Sequence, residues 1–433
     1  MKKAIYDKAN RSNTLIKALG ITLLVFFILV SIANAAQSTN VWFHKGNELM
    51  SSEKYNEAIK AYDKAIEINP QDSEAWYKKG LALDKLNKHE EAIKAYDKAI
   101  EINPQNSSID WYKKGDTLQS LGKSGEAIKA YDKVIEINPH NSSIDWYNKG
   151  NTLSSLGKSD DAIKVYDKAI EINPQDLNAW NNKGNALSSL GKSDEAIKAY
   201  EKVIEINPQD SDAWINKGLT LTTSGKYNEA IKAYDKAIEI NPQDLNAWIY
   251  KGNALTNLNK SDEAIKAYNS AIEINPNNSD GWTNKGLILT ILGKYNEAIK
   301  ACDKAIEINP QNSIAWNNKG NALYKLNKSD EAIKAYDKAI EINSRNSMAW
   351  TNKGLILTFL GKYNEAIKAC DKAIEINPQN SIAWNNKGLT LSSLGKYNEA
   401  IKVYDKAIEI NPQDSAAWYN KAVTLNRLNK SNL

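Results

Sequence analysis

From Ala58 the chain reads AIKAYDKAIEI, which sets Ala58, Ile59, Tyr62, Ala65 and Ile66 on one stripe of a helix and Lys60, Asp63, Lys64 and Glu67 on the other side. Asn69-Pro70 follows. Proline disfavours helical geometry in the residue before it, so this helix is predicted to end there. A second helical pattern starts near Trp76, with Trp76, Gly80, Leu83 and Leu86 returning to one face. A short turn containing Asn87, or Gly in other copies, leads into the next AIKAY line. The predicted element is a helical hairpin. Gly80 and Ala92 are small enough to let the two backbones approach, with Trp76 and Tyr96 filling the remaining space.

This hairpin recurs along almost the whole chain. The twelve tryptophans stand at 42, 76, 111, 146, 180, 214, 248, 282, 316, 350, 384 and 418, spaced by 34 residues with two steps of 35. All ten prolines fall six or seven residues before a Trp, and only Ser344 interrupts that series. A fixed period of this length marks a repeat array, in which each unit buries its apolar face mainly against its neighbours. Residues 36–433 are therefore read as one array of about eleven repeats, starting near Trp42 and ending with the repeat of Trp384. A polar capping helix is expected over about 415–428, where Ala422 takes the place of Gly and Asn426, Arg427 and Asn429 lie outside.

The pattern W-x-x-K-G-x-x-L, then A-x-x-x-Y-x-x-A, then P resembles the tetratricopeptide repeat, whose signature is W-x-x-L-G-x-x-Y, A-x-x-x-F and P. The resemblance covers residues from about 38 onward. One departure is systematic: Lys stands where the family usually has Leu, in every unit from Lys45 and Lys79 to Lys387 and Lys421. Such a lysine is expected to lay its stem on apolar surface with its amine in water. The resemblance implies an all-α, right-handed superhelical solenoid, with the first helix of each unit lining a concave face where extended peptides or partner helices bind. It implies a protein–protein interaction scaffold, with no enzymatic activity and no cofactor.

The N-terminus carries a different pattern. Lys2, Lys3, Lys8, Arg11 and Lys17 face a single acid, Asp7, and Ala18 to Ile32 then run without a charge up to Ala33-Asn34-Ala35. A basic start, an apolar middle and an A-x-A end are the parts of a secretory signal peptide over 1–35, cleaved after Ala35. The alternative is an uncleaved membrane anchor over about 18–36, the only segment then expected to touch a membrane. Either reading places the repeats outside the cytoplasm, secreted or anchored.

These same residues hold the whole formal charge of +4, which leaves the array neutral. Lys alternates with Asp and Glu along each helix, the pattern of a solvated outer face, and no clustered basic field offers a nucleic-acid site. The three histidines, His44, His89 and His140, lie at different repeat positions without metal-ligand spacing. Neither a phosphate loop nor a nucleophile elbow is present. Cys302 and Cys370 replace the tyrosine of their repeats, two units apart, too far for a disulfide, and read as small buried hydrophobes. The segments Trp282–Gly320 and Trp350–Gly388 differ only at Ile291 and Phe359, so a two-repeat duplication copied one cysteine.

Two sets of asparagines are candidate sites. Two residues after Trp stand Asn148, Asn182, Asn216, Asn284, Asn318, Asn352, Asn386 and Asn420, with Tyr250 between. An amide both donates and accepts, so such a row is expected to pair with the backbone of an extended peptide without reading its side chains. Similar asparagine ladders line the peptide-binding arm of O-linked N-acetylglucosamine transferases. Neighbouring positions such as Asn185, Ser188, Ser189, Thr222, Asn253 and Leu287 are uncharged, which favours an internal segment over an acidic C-terminus as ligand. The tyrosines Tyr77, Tyr112 and Tyr147 form an alternative surface. The second set comprises the N-glycosylation sequons at Asn106, Asn141, Asn259, Asn277, Asn327 and Asn429, all expected in turns; Asn259, Asn327 and Asn429 also stand where other units have a turn Gly. Competing functional readings are a structural spacer or assembly factor for envelope complexes, a carbohydrate binder, and the repeat arm of a glycosyltransferase-like system without its catalytic domain.

Overall fold

The computed structural model describes residues 22–26, 37–138 and 143–431. The expected leader therefore lies largely outside the described residues, as do Pro139, His140 and Asn141. The chain divides into two compact units, Met1–Pro208 and Gln209–Leu433. Among the described residues every regular element is helical. No described helix is long and apolar enough to cross a membrane.

In the first unit a helix over 37–51, α1, pairs with α2 (Tyr55–Ile68). There follow α3 (Ser73–Lys85), α4 (His89–Ile102), α5 (Ser108–Ser120), α6 (Ser124–Ile137), α7 (Ser143–Ser155), α8 (Ser159–Ile172), α9 (Leu177–Ser189) and α10 (Ser193–Ile206). The second unit holds α11 (Ser211–Thr223), α12 (Tyr227–Ile240), α13 (Leu245–Asn257), α14 (Ser261–Ile274), α15 (Ser279–Ile291), α16 (Tyr295–Ile308), α17 (Ser313–Lys325) and α18 (Ser329–Ile342). It continues through α19 (Ser347–Phe359), α20 (Tyr363–Ile376), α21 (Ser381–Ser393), α22 (Tyr397–Ile410) and α23 (Ser415–Ser431). Odd-numbered helices carry the Trp and are called A helices; even-numbered ones carry AIKAY and are called B helices.

Local chemistry sets the boundaries. Each described B helix ends at an Ile, one residue before Asn-Pro or, once, Asn-Ser. Most A helices are opened by an Asp or Asn four residues before Trp, whose side chain accepts the amide N–H three residues on, as Asp72 does from Ala75 at 3.1 Å. The residue-long insertion of the third repeat removes this cap: Ser107 donates instead to the Pro104 carbonyl at 2.9 Å. It also buries a carboxylate, because Asp110 stands where most repeats have Ala, and burial pushes its pKa up to about 6. The turns between A and B helices pass through left-handed geometry, with Asn87, Asn259 and Asn327 at φ of 58°, 57° and 60° and Gly in most other copies. The last helix runs to Ser431, past the expected 428, so Asn429 is helical and not in a turn. A helix pays no penalty there because no proline or glycine follows Ala422.

Packing is local. Within each unit every helix packs on the one before and the one after, and A helices also touch the next A helix, as α15 does α17 and α19 does α21. The core tyrosine of each hairpin lies on the A-helix glycine: a Cβ on Gly80 would stand 2.5 Å from Tyr96 Cε1. Close approach thus explains Gly at this position. Cys302 and Cys370 fill the same place, fully buried and unbonded to each other, with thiols pushed up to about 12 by burial.

Candidate functional site

The core tyrosine brings a hydroxyl into an apolar interior, and it needs a partner. Five residues after Trp, the A helix supplies one: Tyr62 donates to Asn47, Tyr166 to Asn151, Tyr200 to Asn185, Tyr268 to Asn253 and Tyr336 to Asn321, all at 2.8–2.9 Å. Tyr131 uses Asp116 in that position. Where Leu stands there, other solutions appear. Tyr96 donates to Asp84 at 2.7 Å and Tyr234 meets Thr222 at 3.0 Å, both one turn further on. Leu287 and Leu355 stand there in the repeats of Cys302 and Cys370, which carry no hydroxyl. Tyr404, opposite Leu389, keeps a buried hydroxyl that makes no well-formed hydrogen bond, with Thr424 beside it.

The asparagine row belongs to the same network. Asn182 donates to Asn151 at 2.8 Å, Asn284 to Asn253 at 3.3 Å and Asn352 to Asn321 at 3.0 Å, each bond tying an A helix to the preceding repeat. Asn148 reaches the Tyr112 hydroxyl at 3.3 Å and Asn420 reaches Asn385 at 3.1 Å. Asn318 and Asn386, which follow the leucine-bearing repeats, turn to the carbonyls of Thr283 and Thr351 at 3.4 Å and are buried. Asn216 is half-buried. The side-chain N–H groups of most of this row are thus engaged between repeats, a role that the sequence did not reveal. Replacing Asn318, Asn352 and Asn386 together would disturb packing as well as any ligand.

The systematic lysine corrects another expectation. In nine repeats its amine does not stand free in water but bridges two hairpins, while Lys45 pairs with Glu48 on its own helix. Within the first unit Lys79 pairs with Asp63, Lys114 with Asp97, Lys149 with Asp132 and Lys183 with Asp167 at 2.5–2.6 Å. The second unit repeats this with Lys251–Asp235, Lys319–Asp303, Lys353–Asp337, Lys387–Asp371 and Lys421–Asp405. Each of these amines also lies over the Trp ring of its own helix, at 4.9–5.9 Å from the centroid. The acid comes from the preceding B helix, so the pair is invisible within one hairpin. One rung is missing: Asn269 replaces the acid opposite Lys285, whose pKa burial lowers.

The outer faces of the B helices carry Lys–Glu pairs three residues apart, such as Lys98–Glu101 and Lys338–Glu341 at 2.6 Å. These are exposed pairs of little energetic weight. The A-helix face differs from repeat to repeat. In the first unit it shows Tyr77, Tyr112 and Tyr147, with Asp84 taking hydrogen bonds from Tyr96 and Thr117 and meeting His89 Nδ1 at 3.1 Å. In the second unit it shows Leu, Ile, Thr and Asn with Tyr250, Tyr324, Lys325 and Phe359 among them, and an open cavity of about 480 Å³ spans α15, α17 and α19. Among the described residues no group of three or more His, Cys, Asp or Glu could hold a metal ion. Of the sequons, Asn106, Asn259, Asn277, Asn327 and Asn429 are exposed; Asn259 and Asn327 occupy the left-handed turn position.

Stacked helical hairpins with a variable A-helix face define a repeat scaffold. Tetratricopeptide repeat models match residues 43–107, nine segments between 110 and 414, and 403–433, and the chain belongs to the tetratricopeptide repeat family. Proteins of this family are generally non-enzymatic scaffolds for protein–protein interaction. No curated protein matches the chain. Among solved structures, yeast Tom70 is similar over 90% of this chain and 96% of its own, at 16% identity and a TM-score of 0.49. The Cut9 and Hcn1 assembly of the APC/C gives 14% identity over 89% of this chain and 96% of the other, with a TM-score of 0.49. YrrB, described as a repeat protein with an unusual peptide-binding site, is 26% identical over 44% of this chain and 99% of its own, with a TM-score of 0.34.

Proposed function

We propose that this protein is a binding scaffold that holds extended segments of other proteins along its A-helix face. The observation that carries this reading is where the repeats differ. The B-helix line AIKAYDKAIEI returns nearly unchanged, whereas the A-helix positions one, five, eight and nine after Trp vary, among Tyr, Asn, Asp, Lys, Thr, Ser, Ile, Leu, Phe and others. Core and ladder positions need sameness to stack, so variation concentrated on one face is expected where partners are told apart. The half-buried members of the asparagine row, such as Asn182, Asn284 and Asn352, stay part of the reading through side-chain carbonyls that accept peptide N–H groups, whereas Asn318 and Asn386 are buried and drop out of it. Photo-crosslinking tests it. A benzoylphenylalanine placed at exposed Asn257 or Lys325 on A helices should trap partners in native cells, and one at exposed Lys266 or Lys300 on B helices should not. Adducts from the B-helix positions alone would overturn it.

We further propose that the scaffold works outside the cytoplasm, on the strength of the basic, apolar and A-x-A pattern of residues 1–35. N-terminal sequencing of the native protein should begin at Ala36. An intact Met1 in the membrane fraction would establish the anchored form, and a cytoplasmic protein would overturn both.

A further inference from the structure

We propose that the cavity across α15, α17 and α19 seats one bulky apolar side chain of an extended partner segment, whose neighbouring Asp or Glu is held by Lys325. This rests on the A-helix binding face proposed above and adds the chemistry of the partner. The walls are Leu287, Ile291, Tyr295, Tyr324 and Leu355, and Ile291 is 61% exposed. Several of the polar groups at the site are already engaged. Asn321 Oδ1 accepts from Tyr336 and from Asn352 Nδ2 at 2.8 and 3.0 Å, and the Thr290 hydroxyl donates to the Gly286 carbonyl at 2.9 Å. What faces an occupant is hydrocarbon and ring surface mixed with polar groups, in a concave site of the size that takes a large side chain.

The apolar floor follows from the alternation of repeats. Leu287 and Leu355 stand where Asn253 and Asn321 stand in the intervening repeats, and the loss of the asparagine is tolerated because Cys302 and Cys370 bring no hydroxyl to satisfy. Charge selects the neighbour of the anchor. No acidic residue lines the cavity. Lys325 lines it at the end of α17, exposed and with no ion-pair partner among the described residues. A carboxylate beside the anchor complements it, whereas a lysine there would be repelled.

The test uses the full chain and a fluorescein-labelled, end-blocked peptide Gly-Ser-Gly-Phe-Asp-Gly-Ser-Gly, with variants in which Phe becomes Ser or Asp becomes Lys. Anisotropy titration should give a Kd of order 1 mM or tighter for the parent peptide, weakened about tenfold without Phe and about fivefold with Lys. Lys325→Glu, an exposed change, should reverse the preference between the Asp and Lys peptides. Leu287→Asn with Leu355→Asn should weaken the parent about tenfold at unchanged far-ultraviolet circular dichroism. Equal binding of the three peptides, or an unreversed preference in Lys325→Glu, would overturn the proposal. So would tighter binding of dodecanoate that displaces the peptide, which would assign the cavity to a lipid-like ligand. If these assays fail while crosslinks from Asn257 persist, the binding face stands and only the anchor is lost.

Discussion

A tyrosine hydroxyl buried in all but the two cysteine-bearing hairpins makes the array dependent on single hydrogen bonds, and the repeats solve this in different ways that can be compared within one molecule. Tyr336 donates to Asn321, whereas Tyr404 makes no well-formed hydrogen bond. Tyr336→Phe should therefore cost about 1 kcal/mol, and Tyr404→Phe should be neutral or slightly stabilising, as read by urea denaturation. Equal losses in the two variants would show that ring packing alone matters. The thiols that replace two of these tyrosines are held by burial at about 12. Cys302 and Cys370 should resist maleimide at pH 8 in the native protein and react once urea opens the array. The sequence displayed the tyrosines and the asparagines but not their bond, because the two lie fifteen residues apart on different helices and meet only once the hairpin closes.

At the scale of the helix, joints between hairpins are closed by the Asp–Lys–Trp rung, and one joint lacks its acid. Asn269→Asp should supply it and raise stability by about 0.5–1 kcal/mol, while Asp303→Asn at the next rung should lower it by a similar amount, both measured by urea denaturation. The lysine was legible as a departure from the family pattern, but its purpose was not, since the acid sits in another repeat. The insertion in the third repeat acts on a helix start. Asp110 has a folded pKa of about 6, above the ~4 of an exposed aspartate, so the fold favours its protonated form. Its contribution is therefore present below pH ~4 and is lost as pH rises through about 6. Asp110→Ala, the residue of most other repeats, should raise the melting temperature at pH 7.5 and leave it nearly unchanged at pH 4. A variant that melts lower than the parent at pH 7.5 would mean that the carboxylate is a helix cap and not a strain.

For the molecule as a whole, the fold was the most legible property: tryptophan spacing, proline register and the AIKAY stripe all point to stacked hairpins, and the hairpins are there. The proposed binding face was less so, because asparagines that look free along a sequence are shared between repeats in the structure. Local packing predicts that whole repeats can be removed. Deleting residues 282–349 joins Gly281 to Trp350, whose surroundings repeat those of Trp282, so the shortened chain should keep its helicity per residue and unfold at nearly the same urea concentration. Deleting 282–315 joins a different pair of repeats and should cost more. If both deletions unfold the chain, contacts beyond neighbours hold it together. The same near-identity of Trp282–Gly320 and Trp350–Gly388 has a hereditary side. Unequal recombination between the two stretches of gene would add or remove a pair of hairpins in frame and create no joint that the protein has not already tried. Length is thus a trait that this molecule can vary by whole pairs of hairpins without inventing a single new contact.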